Sequence, residues 1–323
     1  MEEHEPNWKS QADIDVIKKR AQMMQNIRAF FDARNVLEVE TPLLSAFSST
    51  EPNLHSFSTA YQNKNYYLNT SPEYAMKRLL AQYRQPIFQI CKSFRVDELG
   101  PNHNPEFTLL EWYRPGFTLV QLMQELEQLL AVISFQPVNI QRKSYQSLFE
   151  QYAGFNPHTT SAKQCRQCAL EHQIEIPVGL DSDIDEWLGW LFTQLVLPAI
   201  KKDQFSIVYD FPKSQCALAK LHKNQDDIVV AARFELFFGD LELANAFHEL
   251  TDAEEQEKRF REENKKRSDL GLHVSDLDTN FLAALEHGLP ECAGIAMGLD
   301  RLLMLLSSKN KLSDVLSFPW QTC

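Results

Sequence analysis

Residues 102–113, NHNPEFTLLEWY, set His103, Asn104, Glu106, Phe107, Glu111 and Tyr113 in one short span, directly after the arginine-bearing run CKSFRVDELG. Residue types alternate as on a strand: Glu106, Thr108 and Leu110 share one parity, Phe107, Leu109 and Glu111 the other. Neither parity is purely apolar, so neither face reads as plain core. Two carboxylates, a histidine and two aromatics on a half-buried strand ask for a purpose beyond packing.

A second acidic pair lies in VVAARFELFFGDLELANAFHEL. Two apolar-rich strands flank Gly239-Asp240, a favoured two-residue hairpin turn. That register sets Phe238 against Leu241 and residue 237 against 242. Glu235 is then a diagonal neighbour of Glu242 on the same face, roughly 7 to 8 Å away. Carboxylates so spaced suit a hard divalent cation, and Mg²⁺ takes carboxylates together with phosphate oxygens. An exposed hairpin face is the competing explanation for a bare glutamate pair. Asn245, His248 and Glu249 favour a site, because they put polar groups where the strand should close over core.

Several familiar chemistries are excluded. No G-x-x-x-x-G-K-[ST], G-x-G-x-x-G after a strand, G-x-S-x-G or H-E-x-x-H is present, and HELTD lacks the second histidine. The 323-residue chain carries 44 acidic and 32 basic residues, a net charge of −12, which disfavours a large nucleic-acid footprint. The basic runs VIKKRAQ and ENKKRSD read as solvated helix faces. No apolar run approaches the ~18 residues of a membrane span, and the acidic N-terminus lacks a signal-peptide apolar region, so a soluble cytoplasmic protein is expected. Six cysteines are sparse for the length and fit free thiols in a reducing compartment. Cys165 and Cys168 form a lone C-x-x-C without a second pair at matching spacing, and read as a helix-surface pairing before a metal or redox centre.

The elements that must position these residues follow from periodicity and punctuation. Ile14, Ile17, Ala21, Met24, Ile27, Phe30 and Phe31 predict an amphipathic helix over 11–35. VLEVETPLL reads as a strand stopped by Pro42, and SPEYAMKRLLAQ as a helix over 71–82 with Ser71 as N-cap and Pro72 at its first position. QPIFQICKSFRV is a strand. A helix over 118–133, a looser stretch over 140–180, and an apolar helix over 183–201 follow. Strands near 205–211 and 228–247 and a charged helix over 252–270 come before the glycine-bearing GIAMGLDRLLMLL. Without a regular βαβ rhythm, this predicts an α+β fold whose mixed, mostly antiparallel sheet is flanked by helices.

Together these segments resemble a known family. FFDARNVLEVETPLL, FRVDELGPNHNPEFTLLEWY and GIAMGLDRLLML are similar, in order, to motifs 1, 2 and 3 of class II aminoacyl-tRNA synthetases. RFELFFGDLELANAFHELTDAEEQ resembles the lysyl-tRNA synthetase branch. The resemblance implies ATP and Mg²⁺ as co-substrate and cofactor. Arg95 would grip the α-phosphate and the substrate carboxylate, as a guanidinium fork suits two anions brought together. Arg301 would neutralise the γ-phosphate of a bent ATP, with His103 near the same end. Phe107 would stack under adenine with Arg301 above it. Val96, Asp97, Asn104, Leu236 and Gly298 would complete the nucleotide site, and Glu235 and Glu242 would ligate Mg²⁺. For the amino acid, Glu73, beside Ser71 and Pro72, would receive the backbone-derived ammonium, and Glu249 and Tyr113 the side-chain ammonium. Glu111 and Asn245 would sit beside them, Phe247 along the alkyl chain, Glu242 and Ala296 at the pocket wall. A diamino acid needs negative charge at both ends, because a buried ammonium without a partner is costly.

Three departures separate the chain from lysyl-tRNA synthetases. The synthetase-like segment begins near residue 13, which leaves no room for an N-terminal anticodon-binding domain. Residues 1–12 therefore read as a tail and 13–323 as one catalytic domain. Ala296 stands where those enzymes have glycine, and Ser71 where they generally have alanine. All three are similar to truncated paralogues of the elongation factor P–lysine ligase type. These activate lysine, preferably (R)-β-lysine, and transfer it to a lysine ε-amino group of elongation factor P. One methyl at Ala296 is worth about 1 to 3 kcal/mol of discrimination. Asp97, Val96 and Ala246 also depart from the pattern. A truncated enzyme charging tRNA and a non-catalytic amino-acid sensor are the alternatives; the acidic balance disfavours tRNA. Motif 1, with Pro42 near its centre, implies a homodimer.

Overall fold

The computed structural model describes residues 8–96, 98–134, 138–180, 183–200 and 203–323. The chain opens with α1 (Ile14–Asp32), whose N-cap Asp13 accepts the Val16 N–H. It continues through β1 (Leu37–Glu38), β2 (Leu44–Ser45), β3 (Ser58–Tyr61), β4 (Lys64–Leu68) and α2 (Glu73–Tyr83). Strands β5 (Ile87–Phe94) and β6 (Glu106–Pro115) lead into α3 (Leu119–Ser134), β7 (Ile140–Ser144), α4 (Tyr145–Tyr152) and α5 (Ala162–Glu171). α6 (Ile184–Leu191) runs through a π-helical turn into α7 (Leu197–Ala199). Then come β8 (Phe205–Pro212), β9 (Leu221–Lys223), β10 (Val229–Phe238), β11 (Leu241–His248), α8 (Ala253–Asp269), α9 (Thr279–Gly288), β12 (Cys292–Gly298) and α10 (Leu299–Leu306).

Among the described residues the main sheet has the order β1-β5-β6-β12-β11-β10-β8-β7, with β9 added on β10, and a small sheet has the order β2-β4-β3. β1 with β5 and β7 with β8 are parallel; every other pair of the main sheet is antiparallel. This is the expected α+β architecture. Strand alternation sorts the side chains. Leu110 and Trp112 of β6, Ile295 and Met297 of β12, and Phe234 and Leu236 of β10 enter one core with Ile27, Phe31, Leu126 and Leu302 from α1, α3 and α10. The opposite face carries α2, α8 and α9 at one end, packed around Met76, Leu80, Phe260 and Phe281, and leaves the middle open. Each fully buried side chain of this kind contributes roughly 1.5 to 3 kcal/mol.

Several expectations change. Of the apolar stripe assigned to α1, Ile14 (62%), Ile17 (36%) and Ala21 face outward, while Val16, Met23, Ile27, Phe30 and Phe31 enter the core. The strand expected at 36–44 breaks in two because Pro42 has no N–H for a ladder; β1 pairs with β5, and the chain crosses to the small sheet at β2. α2 starts one turn position late: Pro72 occupies the cap, and the Ser71 hydroxyl accepts the Glu73 N–H instead of capping deeper. Residues 140–180 are not loose. α4, α5 and α6 pack a third core of Tyr145, Phe149, Trp187 and Phe192 against Val208, Phe211 and Phe237 of the sheet edge. Cys165 and Cys168 are buried in it, not paired on a helix surface, and all six cysteines are free thiols. Nor are the basic runs purely solvated, since Arg267 is 4% exposed and Arg20 Nη2 reaches Asp300 at 2.5 Å. The N-terminal tail is tied at its end, with Gln11 and Ala12 N–H groups donating to Ser317 and Leu316 carbonyls.

Candidate active site

The open middle of the sheet is a cavity of about 630 Å³. Phe107 and Leu109 of β6, Ala296 and Gly298 of β12, and Asn245 and Phe247 of β11 line its floor, as alternation requires. Ser71, Pro72 and Glu73 enter from the start of α2, Arg95, His103 and Asn104 from the β5–β6 connection, Glu242 from β11 and Arg301 from α10.

At one end the arginines are pre-set. Arg301 Nε donates to the Asn102 carbonyl (3.1 Å), Nη1 to the Glu242 carbonyl (2.8 Å) and Nη2 to His103 Nε2 (2.6 Å). Burial first, then the Arg301 charge, push the His103 pKa below its usual value, so its imidazole is a neutral acceptor. α10 is itself anchored: Asp300, 2% exposed, accepts the Thr108 N–H at 2.7 Å and the Arg20 guanidinium. Arg95 Nη1 reaches Glu98 at 3.3 Å and its guanidinium lies 5.1 Å from the Phe107 ring centre, while its Nε is buried without a partner. The Arg95 guanidinium thus lies over the Phe107 ring. Asn104 is committed to the protein: its amide donates to the Glu106 carbonyl and accepts the Trp320 N–H.

The acidic pair departs from the simple hairpin. Phe238 opposes Leu241 and Phe237 opposes Glu242 as expected, but a bulge follows and Glu235 stands opposite Asn245. Glu235 is ion-paired with Arg233; burial raises its pKa, Arg233 opposes that, and the Glu242 charge adds to it. The Glu242 carboxylate makes no hydrogen bond or ion pair among the described residues, and no cluster of three His, Cys, Asp or Glu there suits a metal. Two carboxylates fit Mg²⁺ only when phosphate oxygens supply further ligands, the donor set this ion prefers. Leu236 is misassigned: its parity is opposite to Glu235, and it is buried in the core behind the sheet. Val96 also stands outside the cavity lining, its N–H donating to the His55 carbonyl, and Asp97 lies outside the described residues.

The other end is a closed acidic chamber. Glu111 is 1% exposed; its Oε1 accepts the Tyr113 hydroxyl at 2.7 Å and its Oε2 the Ser71 hydroxyl at 2.9 Å. Ala296 pairs with Glu111 across β12 and β6, so the two departures from lysyl-tRNA synthetases, Ser71 and Ala296, meet at one carboxylate. Beneath them Lys77, a residue the sequence reading passed over, has Nζ 2.6 Å from Glu73 Oε1 and 2.6 Å from Glu249 Oε2. Lys77 stands four residues after Glu73, an i,i+4 spacing visible in the sequence. Burial pushes the Glu111 and Glu249 carboxyls up; nearby Glu73 adds to both, whereas Lys77 opposes the rise. Glu73 lines the cavity, while Glu111, Tyr113 and Glu249 form the layer behind it. Gly294, opposite Tyr113, is needed there, because a Cβ would lie 2.4 Å from Glu249 Oε1 and from the Tyr113 ring.

Two cavity-lining arginines, an acidic hairpin and a buried acidic chamber thus share one mostly antiparallel sheet. The profile of the tRNA synthetases class II (D, K and N) matches residues 7–322. The chain belongs to this class II family. Within it the chain is 46% identical over 317 residues to the elongation factor P–(R)-β-lysine ligase of Pseudoalteromonas translucida, covering 96% of this chain and 97% of that one. The proteins of the same name from Salmonella paratyphi B and Salmonella schwarzengrund are 44% identical over 318 residues, with the same coverage. Class II membership gives the three sequence motifs a common sheet: motif 2 is β5 and β6, motif 3 is β12 and α10.

Proposed function

We propose that this class II protein is a ligase that activates a lysine-type diamino acid, (R)-β-lysine in preference to lysine, with ATP and transfers it to a lysine ε-amino group of elongation factor P. The supporting observation is the buried chamber of Glu73, Glu111, Glu249 and Tyr113 opening beside Arg95 and Arg301. An ammonium entering it exchanges water for charge-assisted hydrogen bonds. The amino-acid carboxylate attacks the α-phosphorus in line and pyrophosphate leaves. The acceptor amine then attacks the adenylate carbonyl, AMP departs, and the amine loses a proton. Arg95 aligns carboxylate and α-phosphate, and Arg301 holds the distal phosphates; positioning and charge stabilisation carry the rate, and no side chain acts as general base. Glu242 and Glu235 would hold Mg²⁺, which supplies charge neutralisation on the phosphates when bound. Placing Ser71 and Ala296 against Glu111 supports selection by shape among lysine isomers.

The outward stripe of Ile14, Ile17 and Ala21, with exposed Leu37, Leu43 and Leu44 around Pro42, supports a homodimer through motif 1. Six free thiols support a cytoplasmic location, and no helix among the described residues is long and apolar enough to cross a membrane. The deciding experiment is ATP–pyrophosphate exchange with a panel of lysine isomers, followed by label transfer to elongation factor P or to tRNA. Exchange strongest with (R)-β-lysine and label on elongation factor P are expected. Exchange with neither diamino acid, or label on tRNA alone, overturns the proposal.

A further inference from the structure

The loop between β2 and β3 carries a carboxylate that none of the roles above uses. Glu51 lines the cavity, half-buried, and its side chain makes no hydrogen bond or ion pair among the described residues. Its backbone is fixed from two sides. The Glu51 N–H donates to Ser49 Oγ (3.2 Å), and its carbonyl accepts Arg267 Nη1 (2.8 Å). Arg267, 4% exposed, also holds the Leu54 carbonyl, and the Thr50 hydroxyl donates to Glu263 of α8. A carboxylate on an anchored loop that is left without a partner keeps its hydrogen-bonding capacity for something else.

The surroundings say what that is. Glu73 and Glu263 are the like charges within electrostatic reach of Glu51, and Arg95 and Arg233 the opposite ones. Burial and those two glutamates raise its pKa to about 7, against the opposing arginines. Lys77 already occupies Glu249 and hydrogen-bonds Glu73 Oε1, so part of the acidity assigned to the substrate is internally neutralised. Asn245 Oδ1, lining the same cavity, is buried without a donor. Arg95 and Arg233 act on Glu51 without an ion pair to it, so among the described residues its carboxylate is left unpartnered in the cavity it shares with Glu73. On the function proposed above, we infer that Glu51 is a specificity-determining residue that, with Glu73, binds the ammonium nearest the substrate carboxylate. The second, side-chain ammonium is left to the chamber around Glu111 and Glu249. A β-amino group stands one bond farther from the carboxylate than an α-amino group, and a second carboxylate on the facing loop gives that displaced ammonium a partner.

The test measures dissociation constants by calorimetry in the presence of a non-hydrolysable ATP analogue. The ligands are (R)-β-lysine and 6-aminohexanoate, which keeps the side-chain ammonium and lacks the other. Wild type should prefer (R)-β-lysine, and Glu51→Gln should lower that preference at least tenfold, with Glu51→Asp retaining more of it. Wild-type affinity for (R)-β-lysine should also rise as pH increases through about 7, and Glu51→Gln should reduce that dependence to the share carried by Glu111 and Glu249. Unchanged affinity for the ATP analogue and an unchanged urea midpoint mark a folded variant. A preference ratio preserved in Glu51→Gln overturns the inference while leaving the ligase intact. Failure of the wild type to bind either ligand overturns the ligase proposal instead.

Discussion

Lys77 Nζ lies 2.6 Å from Glu249 Oε2 with both side chains 1% exposed. Breaking such a pair from one side leaves an uncompensated buried charge, which costs about 3 to 5 kcal/mol. Lys77→Met is therefore expected to lower unfolding free energy by roughly that amount, read from urea denaturation. Adding Glu249→Gln should recover part of the loss, because the stranded carboxylate is gone. Equal stability of Lys77→Met and wild type would show that the pair does not hold the chamber together.

Gly294 is expected to tolerate no side chain. A methyl there meets Glu249 Oε1 and the Tyr113 ring at 2.4 Å, and both belong to the packed layer behind the cavity. Overpacking of this kind costs about 1 to 3 kcal/mol. Gly294→Ala should raise KM for the amino acid in pyrophosphate exchange, with KM for ATP little altered. A rise confined to ATP would mean that the chamber does not serve the amino acid.

Much of the site was legible because chemistry and alternation coincide in β6, β11 and β12. Phe107, Asn245, Phe247, Ala296 and Gly298, named from the resemblance, all line the cavity. What stayed hidden depends on tertiary placement. The bulge after Glu242 is a register event with no glycine or proline to announce it, and it moved Glu235 opposite Asn245. Lys77 and Arg267 look like solvated helix charges until the fold buries them. Glu51 sits in a loop whose path is set by distant Arg267 and Glu263. The 140–180 stretch looked loose because short helices bury only a few residues each, and Tyr145, Phe149 and Cys165 meet only in the assembled core.

Arg301 makes three hydrogen bonds in directions a single ammonium cannot reproduce. Arg301→Lys should keep the charge and lose the fork. Loss of one pre-organised stabilising donor typically costs about 10² to 10³ in kcat. Pyrophosphate exchange should fall by that order, while His103→Ala, which removes one acceptor, should cost less. Similar rates for Arg301→Lys and wild type would remove the guanidinium from the mechanism.

Ser71 and Ala296 bound Glu111 from two sides, one by a 2.9 Å hydrogen bond and one by cross-strand pairing. Ser71→Ala frees Glu111 Oε2, and Ala296→Gly opens space beside it. Each change should shift the ratio of kcat/KM between (R)-β-lysine and lysine toward lysine, by an amount in the range of about 1 to 3 kcal/mol. Parallel losses for both isomers would make these positions structural.

The acidic chamber also sets a pH dependence of stability. Burial raises the Glu51 carboxyl from 4.5 to about 7, so the folded chain binds that proton more tightly than the unfolded chain does. The stabilisation is complete below the unfolded value of 4.5 and is lost progressively as pH climbs to about 7. Glu111 and Glu249, also pushed up by burial, act in the same direction. Unfolding free energy of the ligand-free protein should carry a component that declines over this window, and Glu51→Gln should remove its share. An ammonium in the chamber favours ionised carboxylates, so diamine binding should release protons. Calorimetry in two buffers of different ionisation enthalpy should show that release as a buffer-dependent heat. Proton uptake, or stability rising through the same window in wild type relative to Glu51→Gln, would contradict the electrostatics assigned to the chamber.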